Sequence, residues 1–123
     1  ILADKLMVVM VASDPANPSA LGSPFTQATV AAAMEYEVEV IMTGRAGELA
    51  RNGVAEKLLV PESNNRTVYD FMQEAHRAGV VFKVCEPTRD MWGEDLIPEI
   101  DETVGGAYLI SEAMDDATVT FTY

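Results

Sequence analysis

Seven consecutive apolar residues, Leu6 to Ala12, constrain the fold more than any other feature of the chain. No polar residue interrupts the run, so a strand here has no face to offer to water. Strands of that kind belong to parallel sheets covered by helices on both sides. Val38–Met42 and Val80–Val84 read as two more buried strands, the latter running directly into Cys85. Helical signals fall between them. Ser23 offers an N-cap with Pro24 at the first helical position, and that helix should extend through Ala31-Ala32-Ala33 to about Tyr36. Thr67 and Asp70 form a capping-box-like pair with Asp in place of the usual Glu. Val68, Phe71, Met72, Ala75 and Ala78 follow as one helical stripe, and Gly79 stands at the expected C-terminal stop.

The remaining segments are weaker in signal. Ser13–Pro24 reads as a Pro-rich loop, Thr43–Gly47 as a Gly-rich turn, and Glu48–Arg51 as a short helix stopped near Asn52-Gly53. Val54–Val60 is ambiguous, and Pro61–Arg66 is a loop. Glu86–Glu102 is read as an acidic connection, with seven acids against one Arg. A short fourth strand is expected over Thr103–Gly106, a helix over Tyr108–Met114 and a last strand over Thr118–Phe121. Strand and helix alternate throughout, which predicts an α/β fold with right-handed crossovers and a mostly parallel sheet between helices. In such sheets ligands gather at the carboxyl ends of strands, near a topological switch point.

At 123 residues, 49% of them hydrophobic, the chain fits one domain over 1–123 with a core of its own. Its net charge of −12 argues against nucleic acid and against an anionic membrane surface, both of which call for clustered cations. A single Cys excludes an internal disulfide and fits a reducing compartment, hence the cytoplasm. Leu6–Ala12 is too short for a signal peptide and is followed by Asp14-Pro15. No stretch reaches the roughly 18 apolar residues of a membrane span. The first residue is Ile1 rather than Met, which raises the expectation that residues were cleaved or not included; a targeting segment among them would be invisible here.

Cys85 is the leading candidate for chemistry because it ends a strand where loops begin. The competing reading is that a free Cys is a small hydrophobe that only packs. Local charge is mixed: Lys83, on the same strand face, and Arg89 favour a thiolate, while Glu86 and Asp90 oppose it. Ser13, Asp14, Thr43 and Gly44 lie at the ends of other strands and are expected to border a shallow pocket with Arg89 or Trp92. Trp92 can equally cap the edge of the core. Gly44-x-x-Gly47 lacks the full dinucleotide spacing and follows the wrong strand, leaving turn chemistry or a weak anion-binding turn helped by Arg45. His76 near a helix C-terminus reads as structural, since one His with no second Cys or His makes a poor metal site. No metal and no cofactor is expected. The seven Met residues read as core filler.

Taken in order, these features resemble the DsrE/DsrF/DsrH-like family, whose members include proteins described as sulfur-relay subunits or as peroxiredoxin-like. The resemblance is carried by Lys5–Ala12, Val40-Ile41-Met42-Thr43-Gly44, Gly53-Val54-Ala55-Glu56, Thr67-Val68-Tyr69-Asp70-Phe71, Ala78-Gly79-Val80 and Val84-Cys85, then Leu96-Ile97-Pro98, Val104-Gly105-Gly106 and the closing strand. It implies a three-layer α/β/α domain of about five mostly parallel strands, with flavodoxin- or Rossmann-like topology, assembled as a homo-oligomer (trimer or hexamer) or as a hetero-hexamer. It also implies a role for Cys85, which matches the Cys after the third strand that carries a persulfide in the family's sulfurtransferase members. The chain departs from those subunits in its acidic Cys85-Glu86-Pro87 neighbourhood and in a Ser13–Pro24 loop without cysteine. The expected function is a sulfur carrier or sulfurtransferase subunit that passes sulfane sulfur from Cys85 to a partner protein or small thiol, since one Cys leaves no internal resolving thiol. The alternatives are a small-ligand-binding module lined by an unreactive Cys85 and an oligomeric interaction subunit.

Overall fold

The computed structural model describes residues 3–61 and 63–123; Ile1, Leu2 and Glu62 lie outside the described residues, so the loop expected over Pro61–Arg66 is followed only at its other positions. Five strands form one sheet: β1 (Lys5–Met10), β2 (Glu37–Met42), β3 (Val81–Cys85), β4 (Ile100–Val104) and β5 (Thr118–Thr122). Their spatial order is β4-β3-β2-β1-β5, and every pairing is parallel. Four α-helices are described: α1 (Gly22–Ala33), α2 (Val68–Arg77), α3 (Glu86–Trp92) and α4 (Gly106–Ala113). Short 3-10 turns occupy Pro18–Ala20, Gly44–Ala50 and Ala55–Lys57.

The chain adds β2, β3 and β4 on one side of β1, then crosses back to place β5 on the other. Right-handed crossovers that advance in one direction keep their helices on one face, and the reversal sends the last helix to the opposite face. That is the arrangement seen. Phe25 and Ala28 of α1 and Val68, Met72 and Ala75 of α2 pack with Val8, Val40 and Phe82 on one face. The Phe25 and Phe82 rings lie 6.0 Å apart, centroid to centroid. On the other face Met7, Val9, Ile41, Cys85 and Val104 pack under Tyr108, Leu109 and Ala113 of α4. The uninterrupted apolar run of β1 is thereby explained, since alternate residues feed two different cores. β5, at the edge, alternates Thr118, Thr120 and Thr122 with Val119 and Phe121 and is largely exposed.

The capping box of α2 forms in full: the Asp70 amide donates to Thr67 Oγ1 at 3.1 Å, and the Thr67 amide to Asp70 Oδ2 at 2.9 Å. Gly79 follows with φ +106°, a left-handed turn that suits glycine. Ala78 departs from the expected stripe, being exposed at the C-cap.

Several boundaries differ from expectation. α1 starts at Gly22 with Leu21 at its N-cap, so Ser23 caps nothing and Pro24 lies within the first turn, where its missing N–H costs no hydrogen bond. It ends at Ala33 because Glu35 turns left-handed (φ 71°) to deliver β2. The acidic connection contains α3, which Pro87 in its first turn helps to start. β4 begins at Ile100 rather than Thr103, and Gly105-Gly106 opens α4 instead of closing the strand.

Candidate functional site

Cys85 is the last residue of β3 and the N-cap residue of α3. It is paired across the sheet with Val104 and retains 6% exposure. Its surroundings are apolar: Met7, Val9, Ile41 and Val104 beneath and beside it, with Tyr108, Leu109 and Ala113 of α4 packed over that patch. The sheet's reversal lies between β1 and β5. Cys85 is therefore at a strand's carboxyl end but on β3, with β2 between its strand and β1. At the reversal itself the Val11 and Ala12 amides both donate to the Tyr123 carbonyl, at 2.8 and 3.1 Å.

The loop residues expected around Cys85 are held in two sets. Asp14 and Arg45 form an exposed ion pair at 3.0 Å. The Ala16 amide and Arg45 together hold the Asp14 carboxyl below its ordinary range. Ser13 is half-buried beside Asp14. Thr43, Gly44 and Trp92 are joined through Thr88, which the sequence reading passed over. The Gly44 amide donates to Thr88 Oγ1 at 3.0 Å, Thr88 Oγ1 donates to Thr43 Oγ1 at 3.3 Å, and the Trp92 indole donates to the Gly44 carbonyl at 3.0 Å. Gly47 makes this docking possible. A Cβ there would stand 1.8 Å from Thr88 Cγ2 and 3.1 Å from Trp92 Cδ1. Gly44, at φ +55°, would place a Cβ 3.3 Å from the Val11 carbonyl. The Gly-rich turn thus serves to seat α3, with the half-buried Trp92 side chain lying against it. Arg89 reaches Glu94 at 3.8 Å, and its Nε is buried with no hydrogen bond among the described residues.

A second constellation went unread in the sequence. Lys5, Glu39 and Lys83, from β1, β2 and β3, form a buried row on the sheet face that carries Cys85, with side chains 9%, 4% and 7% exposed. The Lys5 ammonium pairs with Glu39 Oε2 at 2.6 Å. Lys83 pairs with Glu39 Oε1 and, more distantly, with Glu102 at 3.5 Å. Two groups from α4 complete the row. The Tyr108 hydroxyl accepts from Lys83 at 2.6 Å and donates to Glu39 Oε1, and Glu112 accepts from Lys5 at 2.9 Å. Burial works against every charge here, but the bonds from Lys5, Lys83 and Tyr108 outweigh it and hold Glu39 below the ordinary carboxylate range. The same balance lifts Lys5 and Lys83 above the ordinary lysine range. Burial, then Glu39, raises the Tyr108 phenol. Lys83 is thus committed to Glu39 and Tyr108, and its charge is compensated before it can act on Cys85.

Elsewhere, an open apolar groove of about 470 Å³ runs between α1 and β5, lined by Leu6, Val30, Ala31, Met34, Val119 and Phe121 among others. His76 faces Asp101 at 3.3 Å and lies against Phe82. Among the described residues no three His, Cys, Asp or Glu side chains gather to hold a metal ion, and no helix is long and apolar enough to cross a membrane.

A family model described as DsrE/DsrF-like family matches residues 5–122, nearly the whole chain. Among solved structures, the chain is similar to the ychN protein from E. coli, with a TM-score of 0.70 at 17% identity over 98% of this chain and 100% of that one. It is also similar to BT1422, a conserved protein of unknown function from Bacteroides thetaiotaomicron, with a TM-score of 0.65 at 12% identity over 98% of this chain and 95% of that one. At such identities the likeness concerns the fold. No curated protein matches the chain in sequence.

Proposed function

Because the chain belongs to the DsrE/DsrF-like family, we propose that it is a sulfur carrier or sulfurtransferase-like subunit that relays sulfane sulfur as a persulfide on Cys85. The observation that carries this reading is the placement of the chain's one cysteine at the carboxyl end of β3, where the sulfurtransferase members of the family carry theirs. The chemistry is thiol exchange. The Cys85 thiolate attacks the outer sulfur of a donor persulfide, polysulfide or thiosulfate; the new S–S bond gives Cys–S–S⁻, and the donor leaves as a thiolate, a shorter polysulfide or sulfite, respectively. An acceptor thiolate then attacks the outer sulfur, forming its own persulfide and returning Cys85 as thiolate. No net oxidation occurs, and no second cysteine of this chain is needed. The relay calls for a reduced thiol and places the protein in the cytoplasm. The experiment is intact mass after incubation with polysulfide or thiosulfate, with Cys85→Ser as the control: one added sulfur in the first and none in the second supports the carrier.

The protein also assembles with itself in this reading, as a trimer or hexamer. Support comes from large apolar side chains left open along α1 and β5, with Val30 and Met34 more than half exposed and Phe121 at 41%. Light scattering that reports a monomer at micromolar concentration removes this part.

A specific observation favours a second reading. Cys85 is buried among apolar side chains, while the apolar groove lies at Leu6, Val30 and Phe121. In that case Cys85 is structural, and the protein is a binding or interaction module. Native-state sulfur uptake separates the two.

A further inference from the structure

We propose that α4 is a hinged lid over Cys85, pinned shut by Tyr108 and Glu112, and that the thiol is reached when this helix lifts from the sheet. The purpose assigned to the lid rests on the carrier reading, while its geometry does not.

Three features of the cover point this way. The partly buried side chains packed over the Cys85 patch, Tyr108, Leu109 and Ala113, all come from α4. Yet α4 has only eight residues, none of them fully buried. Isolated helices of that length are marginal in water, so this one persists by what holds it down. The holding contacts are polar. Tyr108 and Glu112 are four residues apart, on one helix face. Tyr108 bonds Glu39 and Lys83, and Glu112 bonds Lys5. Apolar grip is slight, and the outward side chains Ile110 (61%) and, at the C-cap, Met114 (77%) touch little.

The pins are built to release at low cost. Lys5 and Lys83 each contact Glu39 as well as α4. When the helix lifts, the sheet charges keep one another as partners, and water reaches the vacated bonding positions. No buried charge is stranded, which is the circumstance that otherwise makes breaking an ion pair expensive. The hinge is Gly105-Gly106. Neither glycine has a neighbour within 4 Å of where a Cβ would stand, so no packing stiffens that joint. A short helix with little apolar burial and solvent-adjacent pins is the kind of unit that opens locally, below the cost of global unfolding.

The experiment is alkylation of Cys85 by iodoacetamide in the full chain, followed by mass at increasing urea below the unfolding transition, with global stability measured in parallel. A lid predicts a rate well below that of a free cysteine and nearly independent of low urea, because little surface is exposed in the opening. Tyr108→Phe should speed alkylation about tenfold, the size expected for hydrogen bonds to charged groups. Gly106→Ala should slow it about fourfold by favouring the helix. The proposal is overturned by a rate that follows the global unfolding slope, by variants that change the rate only as much as they change global stability, or by a wild-type rate equal to that of free cysteine. Sulfur uptake is read on the same samples. Alkylation that obeys the lid with no uptake removes the carrier reading and supports the lid; uptake with alkylation on the global slope does the reverse.

Discussion

Glu39→Gln is the sharpest single perturbation of this fold. The side chain is 4% exposed and lies between two ammonium groups, with the Tyr108 hydroxyl as a third partner. Glutamine keeps the shape and removes the charge, leaving Lys5 and Lys83 buried with reduced compensation. Breaking a buried pair from one side costs about 3–5 kcal/mol. The lower end applies, because α4 is a thin cover and because Lys5 keeps Glu112 while Lys83 keeps Tyr108 and Glu102. A loss of about 3 kcal/mol is a large fraction of the roughly 5–15 kcal/mol by which a domain is folded. Urea unfolding followed by Trp92 fluorescence reads it directly. With a slope of about 1–3 kcal/mol per molar, the midpoint should fall by about 1–3 M with the slope unchanged. Adding Lys83→Met removes one of the stranded charges, so the double variant should regain at least about 1 kcal/mol against additivity. A Glu39→Gln protein within about 0.5 kcal/mol of wild type would behave as a surface substitution and refute the buried row.

Four further outcomes follow, two from the same row of charges and two from packing and capping elsewhere in the fold. Glu39 is held below its ordinary 4.5, so its contribution is complete above about that pH and is lost as pH falls through the depressed value; the difference between wild type and Glu39→Gln should shrink in acid. Lys5 and Lys83 are raised above 10.5, so their contribution is complete below that pH and declines as pH rises beyond it; urea midpoints measured above pH 10.5 check this. Gly47→Ala should cost about 1–3 kcal/mol by forcing α3 away from the turn, and Thr88→Ser in the same chain should recover most of it, since serine removes Cγ2 and keeps the Oγ hydrogen bonds; a single variant as stable as wild type contradicts the close approach. Thr67→Ala should cost about 1 kcal/mol in the same assay, and no loss would contradict the capping box.

What the sequence disclosed about this fold was what is local. The Leu6–Ala12 run announced a strand buried on both faces, which holds as far as Met10, where β1 ends and Val11 and Ala12 turn out to solvent, and Thr67 with Asp70 marked the start of α2 within one residue. Strand order was not legible, because an apolar pattern reports how much a strand is buried and not which strand lies beside it. The row of charges was hidden for that reason. Glu39 and Lys83 each look like a lone interruption in an apolar strand, Lys5 looks like the polar residue just before one, and their pairing exists only once β1, β2 and β3 are neighbours. A charge in the middle of an otherwise buried run was the available signal. α3 was masked by its acidic residues, with Pro87 the one cue to a helix start. Cys85 was placed correctly at the end of β3. The helix packed on its apolar patch was not foreseen, because α4 comes to that face only through the crossover that reverses the sheet.

The carrier claim is tested most directly by following one sulfur atom through a full cycle on the whole protein. The chain is loaded with polysulfide, freed of excess reagent, weighed, and then given an excess of a small thiol before a second mass measurement. The account predicts a gain of one sulfur per chain confined to Cys85, absent in Cys85→Ser, and its complete return to the starting mass with the sulfur recovered on the acceptor. A native chain that gains no sulfur, while its unfolded form shows the Cys85 thiol free to react, would contradict it.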